Sequence, residues 1–363
     1  SNATTKTARQ NQWRGATLIL LGFFLVAGVW LNKPFTGHHD WDTALYGYAV
    51  QHYLADGYSA SDYVQVYSSV AEKPENWWYY RNNPPTIAIL ESLLVRATVY
   101  SEMFIRLPTV FITLFSLSVY YVFVRRLYGP RVGIRAMFFF ALTPMAIYFS
   151  RTVNHEAFSI LMVISLLTFY MQWMREHRLW QFLVCCLLAF AGLWVGHYMA
   201  FFLVVLFLYS LIFGTRYEQL YTFVIGLSGL LGMVSWFYFT TGGFDSVLFR
   251  EMMDQFVYRS SSQGATHTTD TGFSLLQYAG RFGVRLIYLA SPFFVFFAVA
   301  GMIAVYRKPH KTREEYLPAA LFVAAFFYTT VFRNATYLHD YFMYYFIPPL
   351  SIWAGYGLHR LWQ

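Results

Sequence analysis

Apolar runs of membrane-spanning length recur along the chain and restrict its fold more than any other feature. A helix needs about 17–25 mostly apolar residues to cross the hydrocarbon core of a bilayer. Because backbone polar groups in lipid must be satisfied internally, such spans are helical. The candidate spans are residues 15–31, 106–126, 132–149, 157–174, 179–196, 198–213, 218–240, 284–305, 316–332 and 342–358. The sequence therefore predicts an all-α, polytopic membrane protein with about ten transmembrane helices, in one domain covering residues 1–363.

Composition agrees with this class and excludes a soluble globular domain. The chain is 57% hydrophobic and only 12% charged, whereas about 25% of residues are charged in an average soluble protein. The net charge is +8, and many of the basic residues lie in loops between the predicted spans, as is typical of membrane proteins. We therefore expect membrane lipids as partners and no nucleic acid.

The distribution of charge predicts the orientation. If the N-terminus is cytoplasmic, 15 of the 26 Lys and Arg residues fall in the termini and short loops on that side, but only four of the 18 acidic residues do. Positive loops face the cytoplasm. We expect a multi-pass protein of the cell (cytoplasmic or inner) membrane, with both termini cytoplasmic and the longer loops extracytoplasmic.

Two outer loops are long, at residues 32–105 and 241–283. The first contains Leu45, Ala49, His52 and Tyr53 at helical spacing, which predicts an amphipathic helix at the membrane surface. Its apolar piece at 85–99 is interrupted by charge and is expected to be a surface or re-entrant helix. The second loop has a helical pattern over 244–258, followed by a polar run over 260–271 that is either a lid or a solvated loop.

Polar residues gather at the outer ends of the spans, which points to one site under these loops. Ionisable residues at membrane depth are costly and are usually functional. The gathered residues are Asp40, Asp42, Arg151, Asn154, His155, Glu156, His197, Arg333, His339 and Asp340.

The first outer loop contains two candidate general bases. A carboxylate at Asp40 can take a proton from a nucleophilic hydroxyl or amine. The alternative is that Asp40 or Asp42 caps the helix that follows, and Asp42 is better placed to do so. His38 and His39 offer metal ligands beside Asp40. Adjacent side chains seldom converge on one ion, so a divalent cation is a possible cofactor rather than an expected one.

Several other polar residues admit a structural or a functional role. Glu156 is either catalytic or a first-turn acid favoured by the helix dipole, although Arg151, Asn154 and His155 add more polarity than a cap requires. His339, before Tyr341, suits phosphate contact, with Asp340 as its orienting partner or as a cap. The remaining two sites are His197, which suits a structural histidine at a turn, and Arg81–Asn82, which either line the site or make a turn.

In these motifs the chain resembles the GT-C glycosyltransferases, specifically the family-39-like branch related to protein O-mannosyltransferases and the lipid A aminoarabinose transferase. The matching motifs run in order through most of the chain: His39-Asp40-Trp41-Asp42 with Tyr46 and Tyr53-Leu54, the segment 79–85 ending in Pro84-Pro85, Arg106-Leu107-Pro108, 125–129, 141–144, 151–156, His339-Asp340-Tyr341 and Pro348-Pro349. Each motif is weak alone, but the ordered set is fairly specific.

The resemblance implies transfer of a sugar from a polyprenyl-phosphate-linked donor to a lipid, glycan or protein acceptor at the outer face, with inversion and no covalent intermediate. It assigns the catalytic base to Asp40 and the second acidic position to Glu156. Arg151, His339 and Arg333 would hold the leaving phosphate, because charged donors bind phosphate strongly.

Two departures from the family pattern matter. Many relatives have Asp-Glu where this chain has Asp-Trp-Asp, so Asp42 could hold the role assigned to Asp40. Relatives often continue beyond the last motif, so a missing C-terminal part could recognise the acceptor. The rival functions are a lipid-linked glycan transporter or flippase, which would place polar residues along a path through the bilayer, and a glycan ligase.

Overall fold

The structure, a computed structural model, describes residues 2–37, 39–263 and 272–363. It is almost entirely α-helical, as the apolar pattern predicts. The described helices are α1 (Asn2–Gly28), α2 (Asp40–Ala55), α3 (Thr86–Ala97), α4 (Glu102–Tyr128), α5 (Pro130–Leu142), α6 (Pro144–Phe149), α7 (His155–Glu176), α8 (Leu179–Leu193), α9 (Tyr198–Phe213), α10 (Arg216–Thr240), α11 (Ser246–Ser260), α12 (Leu275–Ala290), α13 (Pro292–Tyr306), α14 (Leu317–Val331), α15 (Arg333–Leu338) and α16 (Ile347–Leu361). Two short strands, β1 (Gln65–Val66) and β2 (Tyr79–Tyr80), pair antiparallel in the first outer loop.

Three of the described helices, α4, α7 and α10, are each long and apolar enough to cross a membrane. A fourth span results if the bent pair α12–α13 counts as one, and α1, α8 and α9 contain shorter apolar helices. These helices account for the membrane character of the chain. The total of about ten crossings stays a prediction, because it depends on how the shorter and broken helices are counted.

Two predicted spans are broken rather than continuous. The span expected over 284–305 is corrected to a pair of helices bent by 101° between Ala290 and Pro292. Proline has no N–H to continue a helix and restricts the residue before it, and Ser291 has a φ of 80°. The span expected over 132–149 is likewise divided before Pro144 into α5 and α6.

The centre of the bundle is α7, whose apolar window is 83% buried. Helices α13 and α16 approach each other closely only because residue 301 is a glycine. A Cβ on Gly301 of α13 would collide with the carbonyl oxygen of Trp353 on α16. Small residues of this kind allow helix backbones to touch in membrane proteins. The two helices thus form a tight pair behind the segment that carries His339 and Tyr341.

The first outer loop folds into a small unit with its own apolar cluster. Helix α2 buries Tyr46, Ala49, Val50 and Tyr53 in a cluster with Ile87, Ala88 and Val95 of α3. The spacing of three and four residues predicted this helix, and its buried face is set by α3. Because α2 is packed on protein, its first turn is held in a fixed position above the bundle.

Candidate active site

A cavity of about 580 Å³ lies where the two long outer loops meet the ends of the bundle helices. Six segments contribute to it: the first turns of α2, the residue after β1, the residues around β2, the start of α7, helix α11 and the turn after α15. Its charged lining residues are Asp42, Arg81, Glu156, Glu251, Asp254 and Arg259. Cavities with a few convergent polar groups are the usual form of a small-ligand site.

Asp42 stands in the first turn of α2 and faces this cavity. The adjacent Thr43 is fixed to the bundle, because its Oγ1 accepts a 3.0 Å hydrogen bond from the backbone N–H of Val153. Burial raises the pKa of Asp42 from its usual 3.8 to about 7, although the charges of His39 and Arg259 oppose the rise. Asp42 is therefore a carboxyl that exchanges a proton near neutral pH.

Arg259, in the last turn of α11, connects three elements through Tyr80. Its Nη2 donates a 2.9 Å hydrogen bond to the Tyr80 hydroxyl, and Nδ2 of Asn83 donates to the same oxygen at 3.2 Å. Nδ2 of Asn83 also lies 3.3 Å from Nδ1 of His155. The network holds a guanidinium inside the cavity, where charge-assisted hydrogen bonds are strong.

Glu156 and Asn154 supply unused hydrogen-bonding capacity at the start of α7. Glu156 is 0% exposed, and neither of its carboxylate oxygens accepts a hydrogen bond from the described residues. Nε2 of His155 lies 3.2 Å from Oε1 of Glu156, outside hydrogen-bond geometry. The side-chain amide of Asn154 is similarly without a partner in the described part of the chain. Buried polar groups normally have partners, so these atoms are suited to a ligand.

An aromatic wall closes the cavity at the turn after α15. The rings of His339 and Tyr341 stack with centroids 5.1 Å apart, and Trp41 lies 6.0 Å from His339. Behind them, Nε2 of His39 is 2.6 Å from Oδ1 of Asp340. Burial lowers the pKa of His339 to about 4, so its ring is neutral at physiological pH.

Two further pockets adjoin the cavity one after the other, and the second is an apolar groove. A pocket of about 130 Å³ shares Met252, Gln255 and Arg259 with the cavity. That pocket shares Ala200 and Met233 with a groove of about 370 Å³ between α9 and α10. Of the residues that line the groove, only Thr222 is polar. The shared residues therefore place an apolar groove suited to a lipid chain one pocket away from the cavity.

Known proteins share this architecture. Residues 82–239 match the sequence model of the family described as dolichyl-phosphate-mannose-protein mannosyltransferase. ArnT from Cupriavidus metallidurans, solved with undecaprenyl phosphate, superposes with a TM-score of 0.70 at 16% identity, over 95% of this chain and 60% of that one. The chain thus shares the fold of the GT-C glycosyltransferases. The Archaeoglobus fulgidus oligosaccharyltransferase in its apo form superposes with a TM-score of 0.61 at 12% identity. The superposition covers 96% of the present chain and 50% of the oligosaccharyltransferase chain. A comparison with curated protein sequences gives no match.

The GT-C chain spans only 60% of the ArnT chain. The resemblance drawn from the motifs is confirmed at the level of the superfamily and of its all-α membrane fold. At this level of identity the solved structures establish the fold alone. The donor, the acceptor and the roles of individual residues remain proposals.

The cavity brings together eight of the residues predicted from the sequence: Asp42, Arg81, Asn82, Asn154, His155, Glu156, His339 and Tyr341. His197 lies beside it, lining the neighbouring 130 Å³ pocket and donating a 2.8 Å hydrogen bond from Nε2 to the carbonyl of Asn82. His39 and Asp340 stand behind the aromatic wall. His38 and residues 264–271 of the polar run in the second outer loop lie outside the described residues.

Three predicted site residues lie elsewhere in the GT-C chain. Asp40 and Arg151 line a second cavity, although Asp40 is only two residues from Asp42. Arg333 is exposed and donates a 3.2 Å hydrogen bond from Nε to the carbonyl of Ser261. Asp40 points away from the first cavity because its carboxylate accepts the Gly37 N–H at 2.7 Å and pairs with Nη2 of Arg106 at 3.2 Å.

Sequence reasoning missed Arg259 and Tyr80. The helical pattern predicted in the second outer loop ends at Tyr258, one residue before Arg259. No residue of that loop is among the site residues predicted from the sequence. A single Arg in the last turn of a helix also has a simple structural explanation. Only the approach of α11 to β2 gives Arg259 its position.

The described residues do not contain the ligand cluster that a metal site would need. Among residues 2–37, 39–263 and 272–363, no group of three His, Cys, Asp or Glu side chains is placed to hold an ion. The divalent cation and its His38–His39–Asp40 ligands stay a prediction.

Proposed function

We propose that this GT-C protein transfers a sugar from a polyprenyl-phosphate-linked donor to an acceptor hydroxyl or amine, with Asp42 as the general base. One observation carries the proposal: a buried carboxyl with a pKa of about 7 shares a cavity with the guanidinium of Arg259. A base poised near the working pH and a cation for a leaving phosphate are the two groups that the reaction requires.

The reaction is a direct displacement at the anomeric carbon. The acceptor oxygen or nitrogen forms a bond to that carbon, Asp42 takes the proton, and the bond from the anomeric carbon to the phosphate oxygen breaks with its electron pair leaving on the phosphate. The anomeric configuration inverts because attack and departure occur on opposite faces. We assign the base to Asp42 rather than Asp40, because Asp40 is engaged by Arg106 outside this cavity.

The leaving phosphate requires positive charge, which Arg259 and Arg81 supply in the cavity. Arg151 and Arg333, expected from the sequence to hold it, line no part of this cavity. His339 contributes hydrogen bonding but no charge, because burial lowers its pKa to about 4.

Glu156 and Asn154 are assigned to the donor sugar. Burial raises the pKa of Glu156 to about 8, so its carboxyl group can donate as well as accept. This carboxyl and the Asn154 amide, which have no partners among the described residues, can form hydrogen bonds with hydroxyl groups. Leaving such groups unpaired in the absence of substrate costs roughly 1–3 kcal/mol each. The sugar would restore those bonds, which favours binding of a polyhydroxylated ring.

The polyprenyl tail is assigned to the apolar groove between α9 and α10. The groove and the cavity flank the 130 Å³ pocket, with which they share Met233 and Arg259 respectively, so we expect a lipid in the groove to bring its phosphate toward the guanidinium. The distribution of basic loops supports an extracytoplasmic site in the cell membrane with cytoplasmic termini. The acceptor class, whether lipid, glycan or protein, is left open.

The test is transfer from a panel of radiolabelled polyprenyl-phosphate sugars by the protein in proteoliposomes, with Asp42→Asn and Asp40→Asn compared at equal folded protein. We expect transfer by wild type, loss of at least about 100-fold in Asp42→Asn, and a smaller effect in Asp40→Asn. The reverse order would assign the base to Asp40. Movement of labelled lipid between leaflets without sugar transfer would refute the transferase in favour of a flippase.

A further inference from the structure

A second cavity, of about 410 Å³, lies at the junction of the segment after α1 with α4 and α6. It shares no lining residue with the first cavity. Its polar and aromatic walls include Trp30, Lys33, Asp40, Arg106, Tyr148 and Arg151. Three cations therefore meet one carboxylate in this space.

Arg106 and Asp40 neutralise each other and build the wall. Arg106 is 4% exposed, and its Nη1 donates to the carbonyls of Leu31 at 3.0 Å and Lys33 at 2.5 Å. Its Nη2 lies 3.2 Å from Oδ2 of Asp40. A buried arginine fixed by three acceptors holds the backbone after α1 against α4. Arg106 and Asp40 therefore hold the cavity wall in place, and because they form an ion pair, the net charge of the cavity comes from the other residues.

Lys33 and Arg151 provide the uncompensated charge. Within the described residues, neither has a carboxylate within ion-pair distance. Lys33 lies over the ring of Trp30, 3.9 Å from its centroid, and Arg151 donates to the carbonyl of Val29 at 2.8 Å. Burial lowers the pKa of Arg151 and so does the charge of Arg106, whereas Tyr148 and Asp40 oppose the fall. The buried hydroxyl of Tyr148 also has no partner in the described part of the chain.

The cavity adjoins a surface suited to acyl chains. Trp30 is 61% exposed, as is typical of the membrane interface, and the apolar residues nearby on α1 and α4 are also exposed: Leu25 is 70% and Phe111 is 52% exposed. The two helices meet through Phe24 and Phe111, whose rings stack 6.3 Å apart. Positive charge at the end of an exposed apolar helix pair is the arrangement that an anionic lipid requires.

We propose that this second cavity binds the phosphate head group of an anionic membrane phospholipid, with its acyl chains lying against α1 and α4. Lys33, Arg151 and the Tyr148 hydroxyl contact the phosphate. The site is separate from the donor site and does not depend on the proposed transferase reaction.

The test is binding of phosphatidylglycerol to the purified full chain in detergent, measured by native mass spectrometry without any sugar donor. The comparison ligands are phosphatidylcholine and inorganic phosphate. We expect retention of phosphatidylglycerol and a drop of about thirtyfold in its affinity in Lys33→Gln/Arg151→Gln, since each basic residue near an anionic head group contributes roughly fivefold. The control Lys73→Gln/Arg96→Gln removes the same charge from exposed positions and is expected to change affinity less than about twofold.

Two further variants test whether a loss of binding reflects misfolding and whether binding depends on the charge of the cavity. Tyr148→Phe removes only a hydroxyl without a described partner and is expected to weaken binding severalfold at an unchanged melting temperature. Asp40→Asn removes the cavity's negative charge and is expected to strengthen binding. Equal loss in the control pair, or no loss in the cavity pair, would overturn the site. Binding of inorganic phosphate but not of phosphatidylglycerol would overturn the lipid assignment.

Discussion

Nη2 of Arg259 donates a 2.9 Å hydrogen bond to the hydroxyl of Tyr80, two residues separated by 179 positions in the chain. The bond joins the two long outer loops and fixes a cation inside the larger cavity. Because a half-buried guanidinium needs a partner to remain in place, the proposed reaction makes Tyr80 a positioning residue and Arg259 the group that meets the substrate.

Arg259→Gln is expected to lower kcat/KM by about 100-fold or more, because a positioned charge on the leaving phosphate is lost. Tyr80→Phe is expected to lower it about tenfold, since Arg259 keeps its charge but loses its support. Steady-state kinetics with a polyprenyl-phosphate sugar measure both. Arg250→Gln is the control, because Arg250 is exposed on the same helix; an equal loss there would attribute the effect to α11 as a whole.

The pH dependence of kcat/KM is expected to follow Asp42. The base must be ionised to accept a proton, and burial raises its pKa to about 7. Activity therefore falls as pH drops below about 7 and levels off above it. Arg259 is one of the two groups that hold this pKa down, so the midpoint is expected to move upward in Arg259→Gln. A midpoint near the usual aspartate range in wild type would contradict the assignment.

Asp42→Asn is expected to stabilise the fold in alkaline solution. Folding raises the pKa of Asp42 from 3.8 to about 7, so the folded state holds the carboxyl proton more tightly than the unfolded state does. The cost of the buried charge is absent below about pH 4, grows as the pH rises to about 7, and is at most roughly 4 kcal/mol above that.

Melting temperatures of wild type and Asp42→Asn at about pH 8 and at acidic pH test this. We expect the variant to melt several degrees higher only at the higher pH. Glu72→Gln removes one carboxylate from an exposed position and is expected to show no such difference. A pH-independent effect of Asp42→Asn would place the cause in packing rather than in charge.

Gly226→Leu is expected to obstruct the groove between α9 and α10. A Cβ at Gly226 would meet nothing within 4 Å, so the new side chain enters open space without straining the helix. KM for a long-chain polyprenyl donor should rise severalfold, whereas a donor with a tail too short to reach the groove should be unaffected. Gly22→Leu, at a similarly open position of α1, serves as the control. Equal KM changes for both donors would exclude the groove as the path of the tail.

Much of the helical architecture was accessible from the sequence. Apolar run length predicted the membrane helices, and the three- and four-residue spacing after Asp42 predicted α2. The bend at Ser291 was missed, because an apolar run retains its composition across a proline even when the helix does not continue through it. Eight of the predicted residues lie in one cavity for one physical reason: ionisable residues beside apolar spans are costly and are usually retained for a function.

The sequence by itself determined that this chain is an all-α membrane protein with acidic and basic groups at the ends of its helices. Only the tertiary structure separated Asp42 from Asp40 and brought Arg259 to Tyr80. Neighbours in sequence on a helix point in different directions, since each residue turns the side chain by about 100°. Whether two distant loops meet depends on packing of their helices against the whole bundle, which no local pattern encodes.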